Sequence, residues 1–401
     1  MTEREVVIVD GCRTAFGKKG GGLKDFAASE LGGFCVKALM ERTGLYEKGG
    51  AVDSLIAGMA ILDTKSHATA RYIAQLAGLP YEVAATFVEM QCGSAITSLN
   101  HAAWKIKMGV SDIAVVGGVE SHSNIPVMFG TDYIPYREMP TPIRRHLSPI
   151  PEQDTNMIQN SDKMAAKWGV SREECDEFAV RSQQRLQEAY AKGITGDEII
   201  PVTIPATRKT PEIIISKDEH PRPEVTYEKI SKMASLFPGG VTTAANASGT
   251  NDGAAFLLVM TAEKAKELGY TPYARWIGGA HAGIQADYMG VAASYSNLKA
   301  AKQLGLKLSD FDVFESNEAF AAQQLAVIKD MQNATGEIID QSKWNPNGGA
   351  IAIGHPNAAS GARITMFAMK QLEKIGGRYG SISSCCGGGQ GSTAVIENLR
   401  R

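Results

Sequence analysis

Four short turns in this chain hold the residues whose types could do chemistry. The first is Gln91-Cys92-Gly93-Ser94, which follows an apolar run from Ala84 to Met90 that reads as a short buried strand. Beyond it, Ile96, Leu99, Ala103 and Ile106 recur at three- and four-residue steps, one face of a helix. Cys92 therefore stands where a strand ends and a buried helix begins. The free N–H groups and partial positive charge of a helix N-terminus favour thiolate over thiol there. The second turn is Ser316-Asn317-Glu318-Ala319-Phe320, at another strand-to-helix junction. The third, Gly354-His355-Pro356, holds an imidazole on stiff backbone after a predicted strand and before a small-residue helix. The fourth, Cys385-Cys386-Gly387-Gly388-Gly389, supplies thiols beside glycines whose N–H groups can point into a cavity. Each also has a structural reading on its own: a buried cysteine, a helix cap, a satisfied core histidine, a hairpin turn.

The composition is that of a globular chain. The 401 residues are long enough for two or three domains, with 44% apolar and 21% charged residues. The net charge of −2 and the lack of a basic run argue against a nucleic-acid partner. No apolar stretch reaches membrane-span length, and Met1–Gly11 enters a strand with no secretory or transit pattern. The terminal Asn-Leu-Arg-Arg is not a peroxisomal signal. Six cysteines make no disulfide framework and no zinc spacing, so a reduced cytoplasmic setting and no metal are expected.

The elements that must position these turns alternate between strand and helix. Strands are predicted over 5–10, 54–59, 112–118, 251–260, 312–315, 349–354 and 381–386. Helices are predicted over 25–41, 67–76, 262–268 and 319–330, the first with Leu31, Phe34, Cys35, Ala38 and Leu39 inward. This alternation implies an α/β layer with helices on both faces. The texture changes after Glu120: twelve of the sixteen prolines fall between Pro126 and Pro238, around helices over 162–168 and 173–192. Ser171 and Glu174 form a capping box for the second of these. Cys175, near its start, reads as surface or half-buried. Residues 121–243 read as an inserted, mainly helical loop domain. They interrupt an N-terminal α/β half of residues 1–120 and 244–270; a C-terminal half covers 271–401. The order apolar run, small polar turn, buried helix at Cys92 recurs at Asn317, as in a duplicated unit.

Taken together, the motifs resemble the thiolase family over essentially the whole chain. They are Arg13–Lys18, the Cys92 turn, Asp218–Pro223, Asn246–Ala255, Asn317–Phe320, Gly354–Arg363 and Cys385–Gly391. The resemblance implies a layered αβαβα fold of two similar halves. It also implies an acyltransferase that makes or breaks a carbon–carbon bond between coenzyme A thioesters, with CoA and acyl-CoA as substrates and no resident cofactor. Cys92 matches the nucleophile that carries the acyl group, His355 the base that activates it, and Cys386 the second acid/base at the α-carbon. Strand alternation sends Cys385 to the opposite face, as a structural neighbour. The enolate oxygen would meet His355 and a water held by Asn317; the tetrahedral oxyanion would meet the N–H groups of Cys92 and Gly388. Glu318 would orient its loop. Ser248 and Arg222 match CoA contacts, and Met157, Met289 and Phe320 match residues around the acyl group. The family's members are homodimers or homotetramers.

Several positions depart from the family's pattern: Glu89, Ala95, Asn357-Ala358, the segment 157–163, and Val291–Asn297. None removes a catalytic group, and those in the loop domain and at 291–297 bear on acyl specificity. Two other readings stand beside the thiolase one. One is a Claisen-type transferase working with an acyl carrier or partner synthase. The other is a non-catalytic acyl-CoA or lipid-binding protein.

Overall fold

The computed structural model describes residues 4–401 except 132, 135 and 209. The opening Met-Thr-Glu and three positions of the expected insertion thus lie outside the described residues. Nine principal strands are β1 (Val6–Thr14), β2 (Ser54–Gly58), β3 (Ala84–Val88), β4 (Ile113–Ser121), β5 (Asn251–Thr261), β6 (Ala274–Gly283), β7 (Phe311–Ser316), β8 (Tyr379–Cys386) and β9 (Gln390–Asn398). Eight principal helices are α1 (Ala28–Thr43), α2 (Thr69–Leu76), α3 (Ser94–Lys107), α4 (Met157–Trp168), α5 (Arg172–Ala191), α6 (Ala292–Leu304), α7 (Ala321–Thr335) and α8 (Ser360–Ile375).

The strands run in the order β7-β8-β9-β6-β1-β5-β4-β2-β3, with two short strands attached. β1 joins the halves by pairing antiparallel with β5 on one side and with β6 on the other, Val6 opposite Trp276. Each half carries a parallel pair at its outer edge, β2–β3 in one and β7–β8 in the other.

Three apolar cores explain the layering. Leu31, Cys35, Leu39 and Ile73 of α1 and α2 pack on one face of the N-terminal strands. Ile96, Leu99, Ala103 and Ile106 of α3 meet Ile364, Met366 and Met369 of α8 between strand faces drawn from both halves. Ala293, Ala300, Leu325 and Ile328 of α6 and α7 cover the far face of the C-terminal strands. The succession is helix, sheet, helix, sheet, helix, so α3 and α8 begin their courses inside the molecule. α4 and α5 join the third core through Ala165, Cys175, Phe178 and Ala179. Both helices start with capping boxes, from Asn156 and Ser171.

Four local expectations are corrected. β3 is the outer edge of the sheet, paired only with β2, so Phe87 is 43% exposed where a buried strand was expected. Ala350–Ile353 is a short helix, not a strand; an apolar run so short has no period of its own. Cys175 is fully buried because it shares a helix stripe with Phe178 and Ala179. Phe34 is exposed, stacking edge-on against Phe26. Among the described residues, no helix is long and apolar enough to cross a membrane.

Candidate active site

The thiol of Cys92 sits on a strained turn. After β3 the chain makes a single 3-10 turn, Gln91–Gly93, before α3 begins. Gln91 has φ +48°, a left-handed conformation uncommon for a residue with a Cβ. Glu89 stabilises it: one carboxylate oxygen accepts from Gln91 N at 2.8 Å and from Gln91 Nε2 at 2.6 Å. Ser94 Oγ closes the turn, accepting from Met90 N at 3.0 Å and donating to Gln91 O at 2.7 Å.

His355 comes to this thiol from the other half, its Nε2 3.1 Å from Cys92 Sγ. Its backbone N–H donates to Asn251 Oδ1 at 2.9 Å, and its Nδ1 lies 2.6 Å from Ser360 Oγ at the start of α8. Gly354, at φ +104°, lies so close that a Cβ there would be 2.6 Å from the Asn251 side chain. The ring is thus held on both nitrogens and on its backbone. Burial, then His122, then Arg363, lowers its pKa to about 3, so the imidazole is neutral at ordinary pH.

Asn317 completes the group. Its Nδ2 is 3.4 Å from His355 Nε2, and its Oδ1 is buried without a partner among the described residues. The backbone beside it is fixed by Asn317 N donating to Ser383 O at 2.9 Å. Glu318 ties this loop to its surroundings by accepting from Ser182 Oγ at 2.6 Å, Asn345 Nδ2 at 2.9 Å and Ile351 N at 3.3 Å. A Cβ on Gly349 would strike the Glu318 carboxyl at 2.2 Å, so that close approach needs glycine.

The fourth turn requires a correction. Cys385, not Cys386, lies in the wall of the cavity that holds Cys92 and His355. Alternation along β8 does separate the two thiols, but in the opposite sense to the one expected. Cys385 belongs to the face that packs with α6 and α7, while Ile382 and Cys386 point toward α3. Cys386 Sγ lies against Gly93, only 2.4 Å from where a Cβ of that glycine would be. Two adjacent cysteines offered no chemical signal for which one faced inward. The same shift applies to the glycines: Gly387 lines the cavity, whereas Gly388, at φ +86°, lies beside Leu147 O.

The thiols are not preformed thiolates. Burial, helped by Cys385, Cys386 and Glu120, pushes Cys92 well above the ordinary thiol range, and this outweighs the stabilising N–H of the helix start. Burial pushes Cys385 up to about 12 and Cys386 well above the ordinary range.

The cavity has a volume of about 220 Å³. Of the expected binding residues, Ser248, Met157, Met289 and Phe320 line it. Arg222 does not: it is exposed, near His220, whose ring packs against Gly249. Residues in or behind the wall with no assigned role from the sequence include His122, Asn160, Gln323 and Ser360. His122 Nε2 lies 3.2 Å from Asn357 Oδ1, so the Asn357 departure has a partner from the end of β4. Among the described residues no group of three or more His, Cys, Asp or Glu is placed to hold a metal ion.

A partly buried thiol–imidazole pair with a second thiol, set between two α/β halves of this topology, fits an acyl-transferring enzyme of the layered αβαβα class. Residues 6–263 match the thiolase N-terminal domain and residues 270–398 the thiolase C-terminal domain, and the chain belongs to the thiolase family and is an acyltransferase. It is 40% identical to the beta-ketoadipyl-CoA thiolase of Acinetobacter baylyi, over 99% of this chain and 100% of that one. The acetyl-CoA acetyltransferase of Bacillus anthracis superposes with a TM-score of 0.91 at 36% identity, over 99% of each chain. Human mitochondrial 3-ketoacyl-CoA thiolase in complex with CoA superposes with a TM-score of 0.88 at 33% identity, over 98% of each.

Proposed function

We propose that this thiolase cleaves and forms 3-ketoacyl-CoA thioesters through an acyl group carried on Cys92, with His355 as its base and Cys385 as the acid/base at the α-carbon. The observation that carries the reading is the 3.1 Å contact of Cys92 Sγ with the neutral His355 ring, inside the cavity that Cys385 also lines.

In the cleavage direction His355 Nε2 takes the Cys92 proton as sulfur attacks the C3 carbonyl. The high thiol pKa makes this transfer part of the step; the resting state is the neutral pair. Negative charge moves to the C3 oxygen, where the N–H groups of Cys92 and Gly387 are the donors. One such donor is typically worth about 3 kcal/mol of barrier. Collapse breaks the C2–C3 bond and returns the electrons to C2, giving an enolate whose oxygen faces His355 and Asn317. Cys385 gives its proton to C2, and acetyl-CoA leaves. The Cys385 thiolate then takes the proton of incoming CoA, whose sulfur attacks the acyl-Cys92 thioester. Cys92 departs and is reprotonated from His355. Ser360 and Asn251 keep the ring aimed at Cys92, and Glu318 keeps Asn317 in place; these are positioning residues.

The same reading takes Ser248 and Arg222 toward CoA and residues 121–243 as the loop domain that carries its nucleotide end. It takes the protein as a cytoplasmic homodimer or homotetramer with no resident cofactor.

Intact mass and peptide mapping after incubation with acetyl-CoA test it. One acetyl group on Cys92 is expected. It should be absent from Cys92→Ala, and still present in Cys385→Ala, which should fail to turn over. Bound CoA with no adduct under any thioester would overturn the reading.

A further inference from the structure

One wall of the cavity is a stripe of a single helix. Met157, Asn160 and Met164 stand three and seven residues apart on α4 and all line the cavity. Two are methionines; the middle one is an amide that is only 1% exposed. Asn160 Nδ2 donates to Ala286 O at 2.9 Å, which fixes the amide, and leaves Oδ1 buried with no partner among the described residues. A buried acceptor without a donor is unfavourable unless a ligand or an ordered water supplies one. Ala286 opens the segment that carries Met289, so the amide is backed by a second piece of the same wall.

The remaining polar lining has no positive charge to offer. No lysine or arginine among the described residues lines this cavity. His122 is engaged with Asn357, and burial lowers the pKa of both His122 and His355, so both rings are neutral. A carboxylate tip would find no cation and would face the lone pairs of Asn160. An all-apolar tip would leave Oδ1 to a trapped water or unpaired, and would gain nothing from it.

Resting on the thiolase reading of this cavity, we propose that Asn160 selects acyl groups bearing a neutral hydrogen-bond donor, a hydroxyl or an amide N–H, which docks on its side-chain oxygen between Met157 and Met164. The chain would then differ in substrate class from a relative named for beta-ketoadipyl-CoA, whose acyl group ends in a carboxylate. CoA's own pantetheine amides carry the same donor chemistry, and the test separates the two sources.

The native protein is assayed for thiolysis of three six-carbon substrates: 3-keto-5-hydroxyhexanoyl-CoA, 3-ketohexanoyl-CoA and 3-ketoadipyl-CoA. The hydroxyl-bearing substrate is expected to lead the other two in kcat/KM by about tenfold or more. Asn160→Leu should erase that lead, bringing the hydroxyl-bearing substrate to the level of 3-ketohexanoyl-CoA, with KM for CoA as the readout that separates an acyl contact from a pantetheine contact. Equal or reversed preference in the native protein overturns the inference, and needs no variant to fold. A variant that loses all three substrates alike with a raised KM for CoA also overturns it, assigning the oxygen to pantetheine. If Cys92 takes no acetyl group from acetyl-CoA, the thiolase reading itself falls. If it is acetylated and no preference exists, only the present inference does.

Discussion

The floor of the cavity and its α4 wall are built on opposite principles. On the floor the imidazole and the Asn317 loop are cross-tied. His355 has partners for its backbone N–H and both ring nitrogens, and the Asn317 loop is fixed through Ser383 O and the three donors on Glu318. The α4 wall presents Met157 and Met164, whose flexible thioethers carry no directional bonds, around a single amide. A reaction common to many substrates needs fixed geometry, because small misplacements are costly in rate. A wall that sets substrate choice can vary so long as it stays packed. On the proposed reading the floor fixes the chemistry and the wall the substrate.

Damage to the floor should therefore be largest. In the proposed mechanism His355→Ala removes the base, and we expect kcat/KM to fall by about 10³–10⁴. The pH profile sharpens the point. The His355 pKa is lowered, to about 3, so the base is lost only as pH falls toward that value. The native acylation rate should show no imidazole inflection between about pH 5 and 8, where an ordinary histidine would give one. In His355→Ala, acylation must use free thiolate, and because burial raises the Cys92 pKa its rate should climb about tenfold per pH unit across that range. A flat profile in the variant would mean that the thiol is already ionised and the neutral-pair account is wrong.

Next in size is the pair of adjacent thiols. Cys385→Ser should cost about 10²–10⁴ in turnover while leaving acetylation of Cys92 possible. Cys386→Ser, on the face toward α3, should stay within about threefold of native. The reverse order would restore Cys386 as the acid/base.

The same pair shows how far the sequence could be read. The turns at Cys92, Asn317 and His355 were legible because each sits at an element boundary where a small set of residues satisfies the backbone, so residue type and place coincide. Strand alternation at 385–386 was legible as a rule, but a two-residue period has no absolute phase without a known face. Gly387 and Gly388 were exchanged for the same reason. The α4 stripe was legible only in part: the family resemblance marked Met157 and the segment 157–163, but Asn160 and Met164 at helical spacing look like any core face, and only the fold puts a cavity in front of them. His122 and Asn357, and Asn160 and Ala286, are more than 120 residues apart in the chain, and nothing local announces either contact. The central layer was legible in outline, since Ile96, Leu99, Ala103 and Ile106 have a clear helical period. β3 misled because an apolar run does not distinguish a central strand from an edge.

A packing test isolates Cys386 from chemistry. Gly93→Ala would put a Cβ 2.4 Å from Cys386 Sγ and 3.1 Å from Ser392 Cβ. Overpacking of this kind typically costs about 1–3 kcal/mol, and here it would also shift the Cys92 backbone. Thermal unfolding should show a lowered midpoint and mass analysis slower acetylation. Adding Cys386→Ala removes the sulfur and should recover part of both. No recovery would mean that Cys386 does not lie under the nucleophile's turn.

The smallest effect tests the strain in that turn. Gln91 is held at φ +48° by Glu89, which receives both its backbone and side-chain N–H groups. Left-handed backbone at a non-glycine residue costs on the order of 1–3 kcal/mol, and persists only where its surroundings enforce it. Glu89 is exposed, so its two bonds compete with water, and Glu89→Ala should slow acetylation by less than about tenfold without unfolding the chain. The double variant Glu89→Ala, Gln91→Gly separates strain from contact. Glycine adopts this backbone freely, so if Glu89 serves only to stabilise the turn, glycine should return most of the lost rate. If the rate stays low, Glu89 or the Gln91 side chain acts on the cavity itself. The exposed side of the nucleophile would then help choose the substrate, and the division between a fixed floor and a variable wall would no longer hold at Cys92.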